Sequence, residues 1–239
     1  MKVKLALLLI LLLTTLVSSA FAEIEVRRIR VLGVASTGDT YAIEGEEVGS
    51  NSANSSENLN TDFVSGPTTS GGSVYLAYAN VGLGLTTFRY KFRYEASSAD
   101  DGQQLPKDSV YYSETGELKT QFVDFFLVFG KVFSFSLGVG VLKSGSYNSE
   151  IKYSQQYKDY AAGYLITVLD TTAKDRTISG TAGFIVLGYN FGHLELLLSY
   201  RQTRVKYGVD WKAAGDIATR KVDYTLDSNL WTAGLGIVF

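Results

Sequence analysis

The chain has no cysteine, two prolines, one methionine and one histidine among 239 residues. Without cysteine there is no disulfide to staple a loop and no thiolate for a metal centre or a nucleophile, so stability has to come from burial and hydrogen bonding. A lone histidine, His193, leaves metal sites and acid–base pairs built on histidine without a second member. The formal net charge of −2 lacks the basic excess of a nucleic-acid-binding surface. Long apolar runs are scarce too: beyond residue 17 nothing approaches the roughly 18 consecutive apolar residues of a membrane-crossing helix. What is plentiful is glycine, at 24, and aromatic residues, with 16 Tyr, 13 Phe and 2 Trp. That composition suits sheets and aromatic girdles better than helices.

The one apolar run sits at the start. Met1-Lys-Val-Lys4 is followed by an apolar stretch from Leu5 to Val17 and then by Ala20-Phe-Ala22 before Glu23. A basic segment, a short apolar core and a small-x-small site are the three parts of a secretory signal peptide, with cleavage expected between Ala22 and Glu23. Loss of Lys2 and Lys4 from 22 basic residues leaves 20 against 24 acidic, a net −4 for residues 23 to 239.

At the other end the last nine residues, Trp231-Thr-Ala-Gly-Leu-Gly-Ile-Val-Phe239, alternate strictly. Trp231, Ala233, Leu235, Ile237 and Phe239 fall on one face; Thr232, Gly234, Gly236 and Val238 fall on the other. This is the period-2 pattern of a half-buried strand, and nine residues also match a tilted strand crossing a bilayer. Similar alternation recurs upstream. Val123, Phe125, Leu127 and Phe129 share one parity, Gly130-Lys-Val132 makes a tight turn, and Phe133, Phe135, Leu137, Val139 and Val141 continue the apolar face, with Asp124, Ser134, Ser136, Gly138 and Gly140 behind it. Leu194, Leu196, Leu198 and Tyr200 form another stripe, backed by Glu195, Ser199 and Arg201. A mean hydropathy of +0.06 fits strands of which only one face meets lipid.

The pattern resembles the C-terminal signature of bacterial outer-membrane β-barrels, and the whole is similar to the OmpA-like and OmpX-like barrels. That resemblance implies an all-β, closed antiparallel up-and-down transmembrane barrel of 8 strands, with 10 as the alternative. It further implies the outer membrane of a Gram-negative bacterium, contact with outer-membrane lipid and lipopolysaccharide, handling by periplasmic chaperones, and a monomer. Trp231, Leu235, Ile237 and Phe239 would be read by the barrel-assembly machinery. Long polar segments at about 36–72, 97–117, 144–176 and 208–220 read as extracellular loops and the short connections as periplasmic turns. Within 144–176, Ile151 to Tyr157 and Tyr164 to Leu169 are candidates for an extra hairpin, and the facing of 24–35 and of 177–189 stays open.

For chemistry the residues offer little. His193 falls in a short turn. Gly138-Val-Gly-Val-Leu-Lys-Ser144 lies within an alternating strand and lacks the order of a phosphate-binding loop. No catalytic, cofactor-binding or metal-ligating set is expected. The charges are more telling: Phe88, Tyr90, Phe92 and Tyr94 alternate with Arg89, Lys91 and Arg93. A basic side chain facing lipid at midplane costs ~2–4 kcal/mol, so the aromatics are expected toward lipid and the basic ladder inward, unless this end of the strand stands above the membrane. Arg89, Lys91, Arg93 and Arg201 with Asp124 and Glu195 then form either an ion-pair network filling a narrow lumen or the wall of a selective pore. Two functions follow: a non-enzymatic anchor displaying outer loops, where Glu44-Gly-Glu46-Glu47 and the tyrosines of 144–176 are candidate contact surfaces, or a narrow porin or hydrophobic-ligand channel of the OmpW-like kind. Deletion of Phe239 is expected to lower the amount of assembled barrel in the membrane while leaving export intact; normal levels of heat-modifiable barrel on a gel would refute this use of the terminal strand.

Overall fold

The computed structural model describes residues 27–34, 40–47, 63–97, 110–163, 165, 167–213 and 217–239. Among the described residues, nine strand segments and one helix follow in order: β1 (Arg27–Val34), β2 (Thr40–Glu47), β3 (Phe63–Tyr78), β4 (Val81–Ser97), β5 (Val110–Phe129), β6 (Phe133–Tyr153), α1 (Gln155–Gly163), β7 (Thr171–Phe191), β8 (Leu194–Ala213) and β9 (Ile217–Val238). Each strand from β3 to β9 pairs antiparallel with the next. β1 pairs with β3 on one edge and with β9 on the other, from Arg28↔Val238 to Val34↔Thr232, so the sheet returns on itself. β2 then continues along β9 from Thr40↔Asn229 to Glu47↔Val222. Ring positions therefore number eight, the first occupied by β1 below and β2 above.

Alternation dictates the facing. Val74, Leu76, Val81, Leu83, Leu85, Phe125, Leu137, Val139, Ile185, Leu187, Leu196, Leu198 and Leu235 all project outward with large exposed areas. Their inward neighbours Tyr75, Phe126, Ser136, Val186 and Leu197 are buried. On β6 the outward apolar run from Phe133 to Val141 covers nine residues, the length of a tilted strand crossing the hydrocarbon. Aromatic residues rim this band: Tyr78, Phe129, Phe133, Tyr189, Phe191 and Phe239 at the turn end, Tyr200 and Trp231 at the other, where their rings pack 5.0 Å apart. Phe239, Ile237, Leu235 and Trp231 all lie on the lipid-facing side, and the Phe239 amide donates to the Arg27 carbonyl. Amphipathic rings belong at such boundaries.

The strands do not stop at the band, and this corrects the loop limits drawn from the sequence. Phe63 to Gly72 belongs to β3, Val110 to Glu117 to β5, Ser144 to Tyr153 to β6, Thr171 to Arg176 to β7, and Gly208 to Ala213 to β8. β2 likewise lies inside the expected loop 36–72. Above the lipid the outward face is free to be polar, so the apolar parity that marks a strand disappears from the composition while the ladder continues. The hairpin expected from Ile151 to Leu169 is replaced by α1. Ser154 caps it, its hydroxyl accepting from the Tyr157 amide at 3.2 Å and its carbonyl from Lys158 at 3.1 Å. The cleavage residues Ala20, Ala22 and Glu23 lie outside the described residues. Leu137→Arg is expected to cost ~2–4 kcal/mol if its outward site lies near midplane; an unchanged urea midpoint in lipid vesicles would place it at an interface instead.

Candidate functional site

Eight strands enclose a lumen about as wide as the side chains that point into it, and here those side chains stack in levels. At the turn end Glu195 of β8 receives both arginines of β1. Its Oε1 accepts from Arg28 Nη1 at 3.0 Å and Arg30 Nη2 at 2.7 Å, and its Oε2 from Arg30 Nε at 2.8 Å. Ser136 accepts from Arg30 Nη1, Ser134 donates to Glu195, and the Gly130 carbonyl accepts from Arg28. All three charged groups are at most 3% exposed. Above them lies an apolar layer of Leu32, Tyr75, Phe126, Val128, Phe184, Val186 and Leu197, in which Tyr75 stacks on Phe184 at 5.4 Å.

The next level is again ionic. Arg201 of β8 binds Asp124 of β5 with both terminal nitrogens at 2.9 Å, a bidentate pair. Thr86 donates to the same carboxylate and shares a 2.7 Å bond with Ser73. The guanidinium also sits 4.9 Å from the Phe122 ring centre and 5.2 Å from Phe184, within cation–π range. Gly140 is required here: a Cβ would fall 2.3 Å from Asp124 Oδ1 and 2.6 Å from Arg201 Nη2. Higher still, beyond the band, Leu118, Val205, Val209, Trp211, Leu226 and Leu230 close a second apolar core around three tyrosines. Tyr147 and Tyr207 lie 4.8 Å apart, Tyr207 and Tyr224 5.3 Å. Burial pushes the phenols of Tyr147 and Tyr207 well above their ordinary range, and pushes the Glu114 carboxyl up despite the 2.8 Å bond donated by Ser149.

Asp124, Glu195 and Arg201 thus lie in the lumen, but Arg89, Lys91 and Arg93 do not. These three point outward and Phe88 and Tyr90 inward, the reverse of the facing expected from the sequence. The parity of β4 is set lower down, by Val81, Leu83 and Leu85 against lipid, and it carries 89, 91 and 93 to the same outer side. These residues stand above the band, so the desolvation cost that would have turned them inward never applies. The lumenal cations are instead Arg28 and Arg30, on the segment 24–35 whose facing the sequence left open; the alternation of Ile29 and Val31 with Arg28, Arg30 and Leu32 is a hint of that facing, but no carboxylate near them in sequence points to it.

Outside, just above the lipid-facing stripe, Arg89 and Lys119 are cross-strand partners, bridged by Glu117 at 3.1 Å and 2.9 Å. The Lys119 ammonium, with Arg89 adding to it, holds the Glu117 carboxyl below its ordinary range. Like charges directly opposite in a sheet repel, and Glu117 between them offsets that repulsion. His193 occupies the exposed two-residue turn before β8, with Nδ1 3.0 Å from the Val238 carbonyl. Among the described residues no three His, Cys, Asp or Glu side chains gather as a metal site.

A closed antiparallel ring with an apolar outer band, aromatic rims and a filled polar–apolar interior is the architecture of the small outer-membrane β-barrels. Two solved structures are similar over most of their length: the attachment invasion locus protein Ail of Yersinia pestis at a TM-score of 0.36 and 11% identity, covering 90% of this chain and 100% of Ail, and a major outer membrane protein of Thermus thermophilus at a TM-score of 0.41 and 12% identity, covering 90% and 99%. No family model and no curated protein matches the sequence. Glu195→Gln should destabilise the barrel by about 3–5 kcal/mol, because two buried guanidinium groups lose their counter-charge. A urea midpoint equal to that of the unsubstituted protein would mean that water reaches this level.

Proposed function

We propose that this protein is a non-enzymatic outer-membrane barrel whose closed body anchors an extracellular surface, the turn end facing the periplasm and the extended strands facing out. One observation carries the reading: the lumen is crossed by two levels of buried, mutually bonded charge with an apolar layer between and an aromatic core above. A conducting pore needs a hydrated path with weakly held charges, whereas here Arg30, Arg201, Asp124 and Glu195 are at most 2% exposed and each is held by an oppositely charged partner.

The extended strands lift β4 to β9 well above the lipid and carry a polar outer wall. The pair Arg89 and Lys119 lies outside, just above the lipid-facing stripe, and charge-assisted bonds from Arg and Lys to phosphate are strong enough to hold a lipid headgroup. Lipopolysaccharide is therefore the proposed partner of the barrel wall. The refolded protein, verified by a heat-modifiable band, is expected to be electrically silent in a planar bilayer; discrete, ion-selective steps would refute the anchor reading and favour the narrow-porin alternative.

A further inference from the structure

The ring is closed through lipid by β1, but its upper wall is not closed by β2. β2 pairs with β9 from Thr40↔Asn229 to Glu47↔Val222 and, among the described residues, has no ladder on its other edge. The strand next round the ring is β3, whose ladder to β1 ends at Gly33↔Gly72. Above that level the Cα atoms of β2 and β3 stay more than 8 Å apart at nearly every position, whereas ladder partners stand about 4.5–5.5 Å apart. The sequence of β3 accounts for the separation. Its register against β4 shifts twice between Phe63 and Thr68, and Gly66-Pro67 lies within the second shift. Proline has no amide to donate, and a bulged strand cannot keep a regular ladder. β2 is left with a regular edge and no neighbour to use it.

The gap begins where water begins. β2 starts opposite Asn229, just above Trp231 in the aromatic rim. Below that point an open edge would leave amides unbonded in hydrocarbon; above it water can bond them, and a strand can take the place of water. In a strand of 8 residues about half turn both amide and carbonyl to a given side, so the free edge of β2 offers about eight main-chain bonds over ~26 Å. A third strand laid between two others sets them roughly 9.6 Å apart, so its entry between β2 and β3 asks for no more than a small widening. Composition selects the guest. β2 carries Glu44, Glu46 and Glu47 and lies against Asp223 and Asp227 of β9. Those two aspartates hold Arg176 and Arg204, each at 2.7 Å, so the nearby cations of β7 and β8 are already engaged. Opposite charges across a ladder stabilise it and like charges destabilise it. A strand with lysine or arginine at alternate positions is therefore favoured, and a second copy of β2, which would set glutamate against glutamate, is not. The chain's own segment 48–62 is rich in Asn, Ser and Gly and carries Glu57 and Asp62, a composition with few strand formers and the wrong charge.

We propose that the free edge of β2 is an acceptor for an extended, basic segment of another protein, which adds to the sheet as a strand between β2 and β3. Main-chain bonds to β2 supply the affinity, and basic side chains facing Glu44, Glu46 and Glu47 supply the choice of partner. The inference goes beyond the anchor reading and shares only its orientation.

The test uses the full chain refolded in phosphatidylcholine vesicles and a dye-labelled peptide of alternating lysine and valine, as long as β2, with binding followed by fluorescence anisotropy. Saturable one-to-one binding is expected. The same peptide methylated on every amide nitrogen keeps its charge and loses its donors, and should bind at least about tenfold more weakly. The variant Glu44→Gln/Glu46→Gln/Glu47→Gln, which leaves the backbone edge intact, should weaken the unmethylated peptide about tenfold. The chain has no cysteine, so a single introduced thiol locates the peptide: Ala42→Cys on β2 should form a disulfide with a peptide carrying one cysteine, and Thr115→Cys on β5 should not. Absence of saturable binding to a demonstrably folded barrel overturns the proposal, as does equal binding of the methylated peptide or equal cross-linking at both thiols. Binding that appears only after 48–62 is replaced by a Gly-Ser linker assigns the edge to that segment and overturns the partner. A dimer strengthened by the three Glu→Gln changes assigns it to a second copy, with the same result. None of these readings depends on ion flow, so they stand or fall apart from the conductance result.

Discussion

A backbone amide inside hydrocarbon has no water to bond, and leaving it unpaired costs several kcal/mol. Every strand of this chain that crosses lipid must therefore be paired along both edges, and the only way to pair the first and the last is to bring them together. β1 meets that demand, bonded to β3 on one side and β9 on the other. Closure with eight positions then sets the bore, the bore sets how much must be packed inside, and alternation along each strand decides which residues do the packing. The apolar band and the filled lumen are two faces of the same constraint.

Why the filling is partly ionic is less obvious, since buried ion pairs are no more stabilising than well-packed apolar groups of the same size. Their geometry suggests a different value. Glu195 joins β8 to β1 through two arginines, and Asp124 with Arg201 joins β5 to β8 across the lumen. A one-residue slip in any of these strands would turn a charge out into lipid and leave its partner alone inside. The pairs therefore penalise wrong registers far more than they reward the right one, and the pair at Glu195 does so next to the line of closure.

The alternating segments within lipid were legible from residue order, because there the two faces meet different solvents. The hairpin from Val123 to Val141 and the terminal strand show this, their outward and inward sets falling as the alternation requires. Legibility ended where lipid ends. On β4 the aromatic and basic residues from Phe88 to Arg93 keep strict alternation, but above the band both solvent and core accept them, and only the parity inherited from Val81 tells which is which. β6 holds one extra residue, Lys143, against β5, and β7 one extra, Arg176, against β8; these bulges left no compositional mark at all, since each shows only in the pairing of its neighbours. Arg28 and Arg30 were hidden for the opposite reason: two buried arginines in one short strand make sense only once a carboxylate 165 or more positions away is brought against them.

The line of closure has one more consequence, in time rather than in space. Its pairs, such as Arg28↔Val238 and Val31↔Leu235, join residues more than 200 positions apart in sequence. Contacts of such long range form late, after shorter loops have been closed. Until the final strand exists and is in place, β1 has one unpaired edge and the growing sheet another, both apolar on one face and open to any other chain. This barrel therefore cannot be completed piecemeal as it is synthesised: its first strand must wait, kept from other partners, for its last.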